Sequence, residues 1–160
     1  MKRINIQDID LNSLEVILDK AGRWVDGINH GRKILRDKDS FYKVFDMEYC
    51  RRQNFIDAYE FGFFDGLAPA LKSLIVDGDD IIGYVTESGQ QLSTSEFDFD
   101  SIPKEFYKKV IDATIVKEMF FYDLVPINII KTKDGKISLI DLESVYPIEE
   151  LFQIDKHNAK

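Results

Sequence analysis

Short apolar runs broken by turn chemistry fill the first half of the chain, and a helical spacing appears on either side of its middle. Trp24–Gly27, Arg32–Arg36 and Ser40–Phe45 predict a three-stranded meander, with Asp37-Lys38-Asp39 turning the last hairpin. Met47–Phe61 has helical spacing, with Cys50, Asn54 and Phe61 on one side and Tyr49, Ile56 and Glu60 on another. Gly62 and Gly66-Leu67-Ala68-Pro69 end that helix. Ala70–Val76 and Ile81–Thr86 bracket Asp77-Gly78-Asp79-Asp80 as a second hairpin. Ser93–Ser101 (STSEFDFDS) lacks any helical period and reads as a linker. Beyond it, Ser101 is a candidate cap and Pro103 a first-turn residue for a helix reaching about Lys117. Phe106, Val110, Ala113, Tyr107, Ile111 and Ile115 give that helix a broad apolar face. Met119–Tyr122 is a short apolar run, and Ile127–Leu142 predicts a hairpin closed by Asp134-Gly135 in a type I′ turn. Met1–Gly22 reads as a further helix around Leu14, Ile17 and Leu18. The pattern is α+β, with five strands and one helix before the linker.

Composition narrows the function classes. The chain has 160 residues, 44% apolar and 12% aromatic, and can bury about 70% of its extended surface, enough for one domain with room for two small lobes. Its net charge of −8 argues against a general nucleic-acid or anionic-membrane binder. The charge is uneven, basic over residues 21–56 and strongly acidic over 57–100, so any phosphate chemistry must be local. Cys50 is the single cysteine, which precludes an internal disulfide, fits a reducing cytoplasmic setting and reads as a half-buried helix residue. Lys2 and Arg3 precede no apolar signal region, and no window approaches a membrane span, so a soluble, unprocessed chain is expected. Asp77-Gly78-Asp79-Asp80 lacks the closing glutamate of a calcium loop and reads as an acidic turn.

The last hairpin carries the candidate chemistry. With Asp134 and Gly135 as its two turn residues, Lys133 faces Lys136, and the ladder continues until Asn128 faces Asp141. Directly opposed residues hold their Cβ atoms about 4.5–5.5 Å apart on one face. An amide oxygen and a carboxylate so placed are hard ligands for one divalent cation. Mg²⁺ suits them because it takes one or two protein ligands and completes its shell with phosphate oxygens and water. Asp123, on the loop entering the hairpin, could serve the same space as a base. Residue types alone leave equally open that Asn128 caps the loop, Asp141 ends a strand and Asp123 is a turn residue.

The same residues carry a family resemblance. Asp123-Leu124-Val125-Pro126-Ile127-Asn128 resembles the catalytic loop of protein kinases, Asp-Leu-Lys-Pro-x-Asn. Leu139-Ile140-Asp141-Leu142-Glu143 resembles their magnesium-binding Asp-Phe-Gly, in the Asp-x-Glu form of aminoglycoside, choline and other atypical kinases. The intervals from Asp123 to Asn128 and from Asn128 to Asp141 match that arrangement, hairpin included. The resemblance implies a protein kinase-like two-lobe fold: a five-stranded antiparallel small lobe with one helix (about 20–87), a hinge and linker (about 88–101) and a truncated helical large lobe (about 102–160). It implies ATP and Mg²⁺ as cofactors, with Asn128 and Asp141 holding the metal, Lys43 pairing the phosphates and Asp123 accepting the proton of an attacking hydroxyl. Gly27 to Gly31 would turn over the phosphates, although a plain hairpin turn fits them equally. Asp57 or Glu60 would partner Lys43, and backbone groups of Glu87 and Ser88 would meet adenine.

Departures from the family are equally specific. Phe121 replaces the usual His, Val125 the catalytic-loop Lys or His, and Leu142-Glu143 the Phe-Gly; only 19 residues follow Asp141. The expectation is a minimal kinase that moves the γ-phosphate to a hydroxyl, preferably Ser/Thr of a protein, with a sugar or other small molecule as the other acceptor. A partner protein could supply the substrate platform. A pseudokinase or nucleotide-binding regulatory module, and an interaction protein on an unrelated fold, are the competing classes.

Overall fold

The computed structural model describes the chain except residues 1, 21–23, 26–27, 30–31, 46–51, 123 and 151–160. Its elements run in the order β1 (Arg3–Asn5), β2 (Glu15–Lys20), β3 (Trp24–Val25), β4 (Ile28–Asn29), β5 (Arg32–Arg36), β6 (Ser40–Val44), α1 (Arg52–Glu60), β7 (Leu71–Asp77), β8 (Asp80–Glu87) and β9 (Gly89–Gln91). Then follow α2 (Lys104–Lys117), β10 (Met119–Phe121), β11 (Ile129–Thr132), β12 (Ile137–Leu139) and β13 (Val145–Pro147). The class is α+β. The chain divides into two compact units, one of residues 1–50 and 69–88, the other of residues 51–68 and 89–160.

The first unit is a six-stranded sheet in the order β1-β7-β8-β6-β5-β2. Five of its strands are antiparallel to their neighbours, and β1 joins the edge parallel to β7, with Arg3 opposite Leu74. This corrects the expected five-stranded antiparallel sheet. The helix expected around Leu14, Ile17 and Leu18 is the strand β2, paired to β5. A bulge explains the misleading spacing: Val16 opposes Leu35 and Leu18 opposes Ile34, so Ile17 is an extra residue that breaks the alternation. Trp24–Val25 is likewise not the first strand of the meander: among the described residues it pairs with Ile28–Asn29 alone.

Both turns read from the sequence for this sheet are present. Asp37 closes β5–β6 by accepting the Asp39 and Ser40 amides at Oδ1 (both 2.9 Å) and the Tyr42 hydroxyl at Oδ2 (2.8 Å). Gly78 takes φ +61° as the first of two residues between the paired Asp77 and Asp80, a position that favours glycine.

Among the described residues, the second unit contains both α-helices. Phe55, Ala58, Phe63, Phe64 and Leu67 on and after α1 are buried, as are Phe106 and Val110 of α2 and Ile129, Leu139, Leu142 and Val145 around the last hairpin. Phe55, Tyr59, Phe63 and Phe64 form an aromatic cluster with ring centroids 4.9–6.4 Å apart. Burial raises the Tyr59 pKa, and its hydroxyl is buried without a hydrogen-bond partner. Helix α2 begins after Pro103 with no side-chain cap, while Ser101 lies in a separate 3-10 turn. Ile111, Ile115 and Val116 are exposed, so the buried face of α2 is narrower than its spacing suggested. Gly89 lets β9 lie against β11, since a Cβ there would sit 2.6 Å from the Lys131 carbonyl. Among the described residues no helix is long and apolar enough to cross a membrane.

Candidate functional site

The hairpin β11–β12 brings Asn128 and Asp141 to one end, in a register different from the expected one. Ile129 opposes Leu139 and Lys131 opposes Ile137, so the ladder places Ile140, not Asp141, across from Asn128. The cause is the turn. Thr132 accepts from the Gly135 amide (2.9 Å) and donates its own amide to Lys136 (2.9 Å), which leaves three residues in the loop. Gly135 alone takes a positive φ there, +81°, and acts as the bulge residue of a three-residue hairpin; a type I′ turn would need Asp134 there as well. Pro126 opens a 3-10 turn that delivers Asn128 to the start of β11, and the Asn128 carbonyl accepts the Ile140 amide at 2.8 Å.

Asp141 leaves the ladder in an uncommon conformation. Its φ is +66°, in the left-handed region, and among the described residues Glu118 is the other non-glycine found there. The residue is 3% exposed. Ser144 holds it twice, donating its amide to the Asp141 carbonyl (3.0 Å) and its hydroxyl to Oδ2 (3.1 Å). The Ser144 carbonyl in turn accepts the Tyr122 amide at 2.8 Å, and the exposed Tyr122 ring packs edge-on against Tyr146. The Leu139 amide donates to Leu67, tying the strand before Asp141 to the turn after α1. A buried carboxylate in a strained backbone is the kind of feature that collects at functional sites.

Lys43 lies in the first unit, on β6 between Ile34 and Tyr84, and is 3% exposed. The solvated strand lysine that residue type alone suggests is therefore not what the fold contains. Phe41 and Phe45, two positions either side, are buried too, so Lys43 belongs to the inward face of its strand. Gly83 permits this, because a Cβ there would lie 2.1 Å from the Lys43 carbonyl.

The remaining candidates are placed as follows. Asp57 and Glu60 lie on α1 in the second unit, where Asp57 accepts from Gln53 (2.7 Å) and Glu60 is exposed. Glu87 ends β8 and Ser88 follows it, and their amides already donate to the Ala70 (3.0 Å) and Asp39 (3.1 Å) carbonyls, so these donors are engaged. Asp123, Gly27 and Gly31 lie outside the described residues. Ser88 also lines a polar cleft of about 470 Å³ with Ser13, Glu15, Arg36, Asp37 and Lys38. The Arg36 guanidinium there is engaged by Glu15 at 2.9 Å and holds that carboxyl below its usual range through a hydrogen bond and its charge.

Sequence reasoning missed Ser144 and Gly83. Gly83 carries a readable signal, a glycine inside an otherwise apolar strand, which marks close backbone approach. Ser144 carries none, because its bonds depend on the left-handed turn at Asp141. Among the described residues no group of three or more His, Cys, Asp or Glu comes together.

No protein-family model and no curated protein matches the chain. Among solved structures it is similar to the crystal structure of monomeric WbdD, with 20% sequence identity and a TM-score of 0.45 over 80% of this chain and 37% of that one. The chain thus spans just over a third of that protein's length.

Proposed function

We propose that the chain is an ATP- and Mg²⁺-dependent phosphotransferase of the protein kinase-like type, acting on a hydroxyl acceptor of a protein or a small molecule. The observation that carries this reading is the state of Asp141: a carboxylate 3% exposed, held at φ +66°, at the end of a hairpin that also presents Asn128. A strained backbone is kept where it serves a site. An amide oxygen and a carboxylate are a hard two-donor set, which suits Mg²⁺ better than a metal that needs a full protein cage. The buried cation of Lys43 suits the anionic phosphates of ATP.

In this reading Asn128 and Asp141 would hold the metal, Lys43 would orient the phosphates, and Asp123 would accept the acceptor's proton. Bound Mg²⁺·ATP supplies the γ-phosphoryl group and neutralises charge on it. Two lobes of a kinase-like fold are part of the proposal, with the strand-rich first unit as the smaller.

The test is a melting scan with ATP, with and without Mg²⁺. A ligand bound by the native state alone raises its stability, so Mg²⁺·ATP should raise the melting temperature and ATP alone should do so less. Asp123→Asn should leave that shift intact and lower turnover by on the order of 10²–10⁴, the usual worth of a general base. No shift with Mg²⁺·ATP refutes the proposal.

A further inference from the structure

We infer that Ser144 is a positioning residue for the Asp141 carboxylate and thereby sets the affinity for divalent metal; this rests on the phosphotransferase reading. Asp141 occupies a backbone conformation that L side chains adopt at a cost, so something must hold it. Ser144 does so at both ends of the residue. Its amide closes the turn on the Asp141 carbonyl (3.0 Å), and its hydroxyl donates to Oδ2 (3.1 Å), limiting rotation of the carboxylate.

Ser144 is itself fixed. Its carbonyl accepts the Tyr122 amide at 2.8 Å, and Leu142 and Val145 around it are both 0% exposed. The hydroxyl therefore does not depend on a mobile loop. Because Tyr122 directly precedes Asp123 in the chain, one serine ties the candidate metal carboxylate to the strand end that leads to the candidate base. Hydrogen-bond partners of ligating carboxylates orient their ligands and tune affinity, and losing one typically costs about 10- to 100-fold in metal affinity.

The hydroxyl can be removed without touching either backbone bond. Ser144→Ala deletes the bond to Oδ2, and Ser144→Thr retains a hydroxyl. Thr114→Ala is the control, since the Thr114 hydroxyl bonds the Val110 carbonyl (2.8 Å) within α2. Binding of Mn²⁺·ATP is measured by calorimetric titration on the full chain, without turnover. Ser144→Ala should weaken it about 10- to 100-fold, Ser144→Thr should restore most of the loss, and Thr114→Ala should leave it unchanged.

Affinity unchanged in Ser144→Ala but abolished in Asp141→Asn overturns the inference and leaves the phosphotransferase reading standing. A Ser144→Ala chain that melts earlier than Thr114→Ala, yet binds Mn²⁺·ATP like the wild type, shows a structural role only and also overturns it. Failure of the wild-type chain to bind Mn²⁺·ATP overturns both.

Discussion

The Ile140 amide donates to the Asn128 carbonyl at 2.8 Å, which puts Asn128 across from Ile140 and leaves Asp141 one residue past the last rung of the hairpin. A one-residue change of register normally sends a side chain to the opposite face of a ribbon. At Asp141 the left-handed φ of +66° interrupts the pleat, so the direction of its side chain no longer follows from ladder position. The register traces to the three-residue turn and its bulge at Gly135, while the left-handed turn at Asp141 is closed by the Ser144 amide.

The turn can be tested by itself. Gly135 holds φ +81°, and the nearest atom to an added Cβ is the flexible end of Lys131 at 3.9 Å, so substitution there meets backbone strain and no clash. Gly135→Ala is expected to cost about 1–2 kcal/mol, read as a lower urea midpoint with an unchanged slope. Asp134→Ala, at a position of ordinary φ, should cost less; equal losses would favour a type I′ turn.

Lys43 gives a second prediction, because its burial separates charge from packing. Lys43→Met keeps a long flexible stem, so it should fold with a melting temperature near wild type and lose most phosphotransfer. Lys43→Ala should lose that activity and also about 2–5 kcal/mol of stability through the cavity it leaves. Lys38→Ala, exposed in the β5–β6 turn, should change neither. Assays of transfer and urea unfolding on the three variants check this, and full activity in Lys43→Met would remove Lys43 from the mechanism.

What could be read in advance follows physical lines. The β5–β6 and β7–β8 hairpins and helix α2 were legible because Asp37, Gly78 and the spacing of Phe106 and Val110 act locally. Strand β2 was not, because the extra residue Ile17 shifts the alternation toward a helical spacing. The last hairpin was found but mis-registered, since one Asp-Gly pair serves two-residue and three-residue loops alike. The motif from Asp123 to Asp141 pointed to the hairpin end, yet the burial of Lys43 needed tertiary structure. Its neighbours Phe41 and Phe45, at alternate positions on the same strand, were the available clue.

Asp37 supplies a pH dependence. Partial burial pushes its carboxyl upward, but the Asp39 amide, the Tyr42 hydroxyl, the Ser40 amide and the charge of Lys72 outweigh this and hold it below the ordinary value. A depressed folded pKa stabilises the fold above the unfolded value of about 3.9 and loses that contribution as pH falls through the folded value. Asp37→Asn should therefore lower the urea midpoint at pH 7, and the gap to wild type should close as pH falls through the folded value. A gap that stays constant as the pH is lowered into the acid range would show that charge at Asp37 does not matter.

Phosphoryl transfer through Asp141, as proposed, is tested most directly by label transfer from γ-labelled ATP to acceptors in a cell extract, wild type against Asp141→Asn. The substitution keeps size and removes the charged ligand, so transfer should require Mg²⁺ in the wild type and fall by on the order of 10²-fold or more in the variant. Equal labelling by the two chains, or none above an enzyme-free control, would contradict phosphoryl transfer through Asp141.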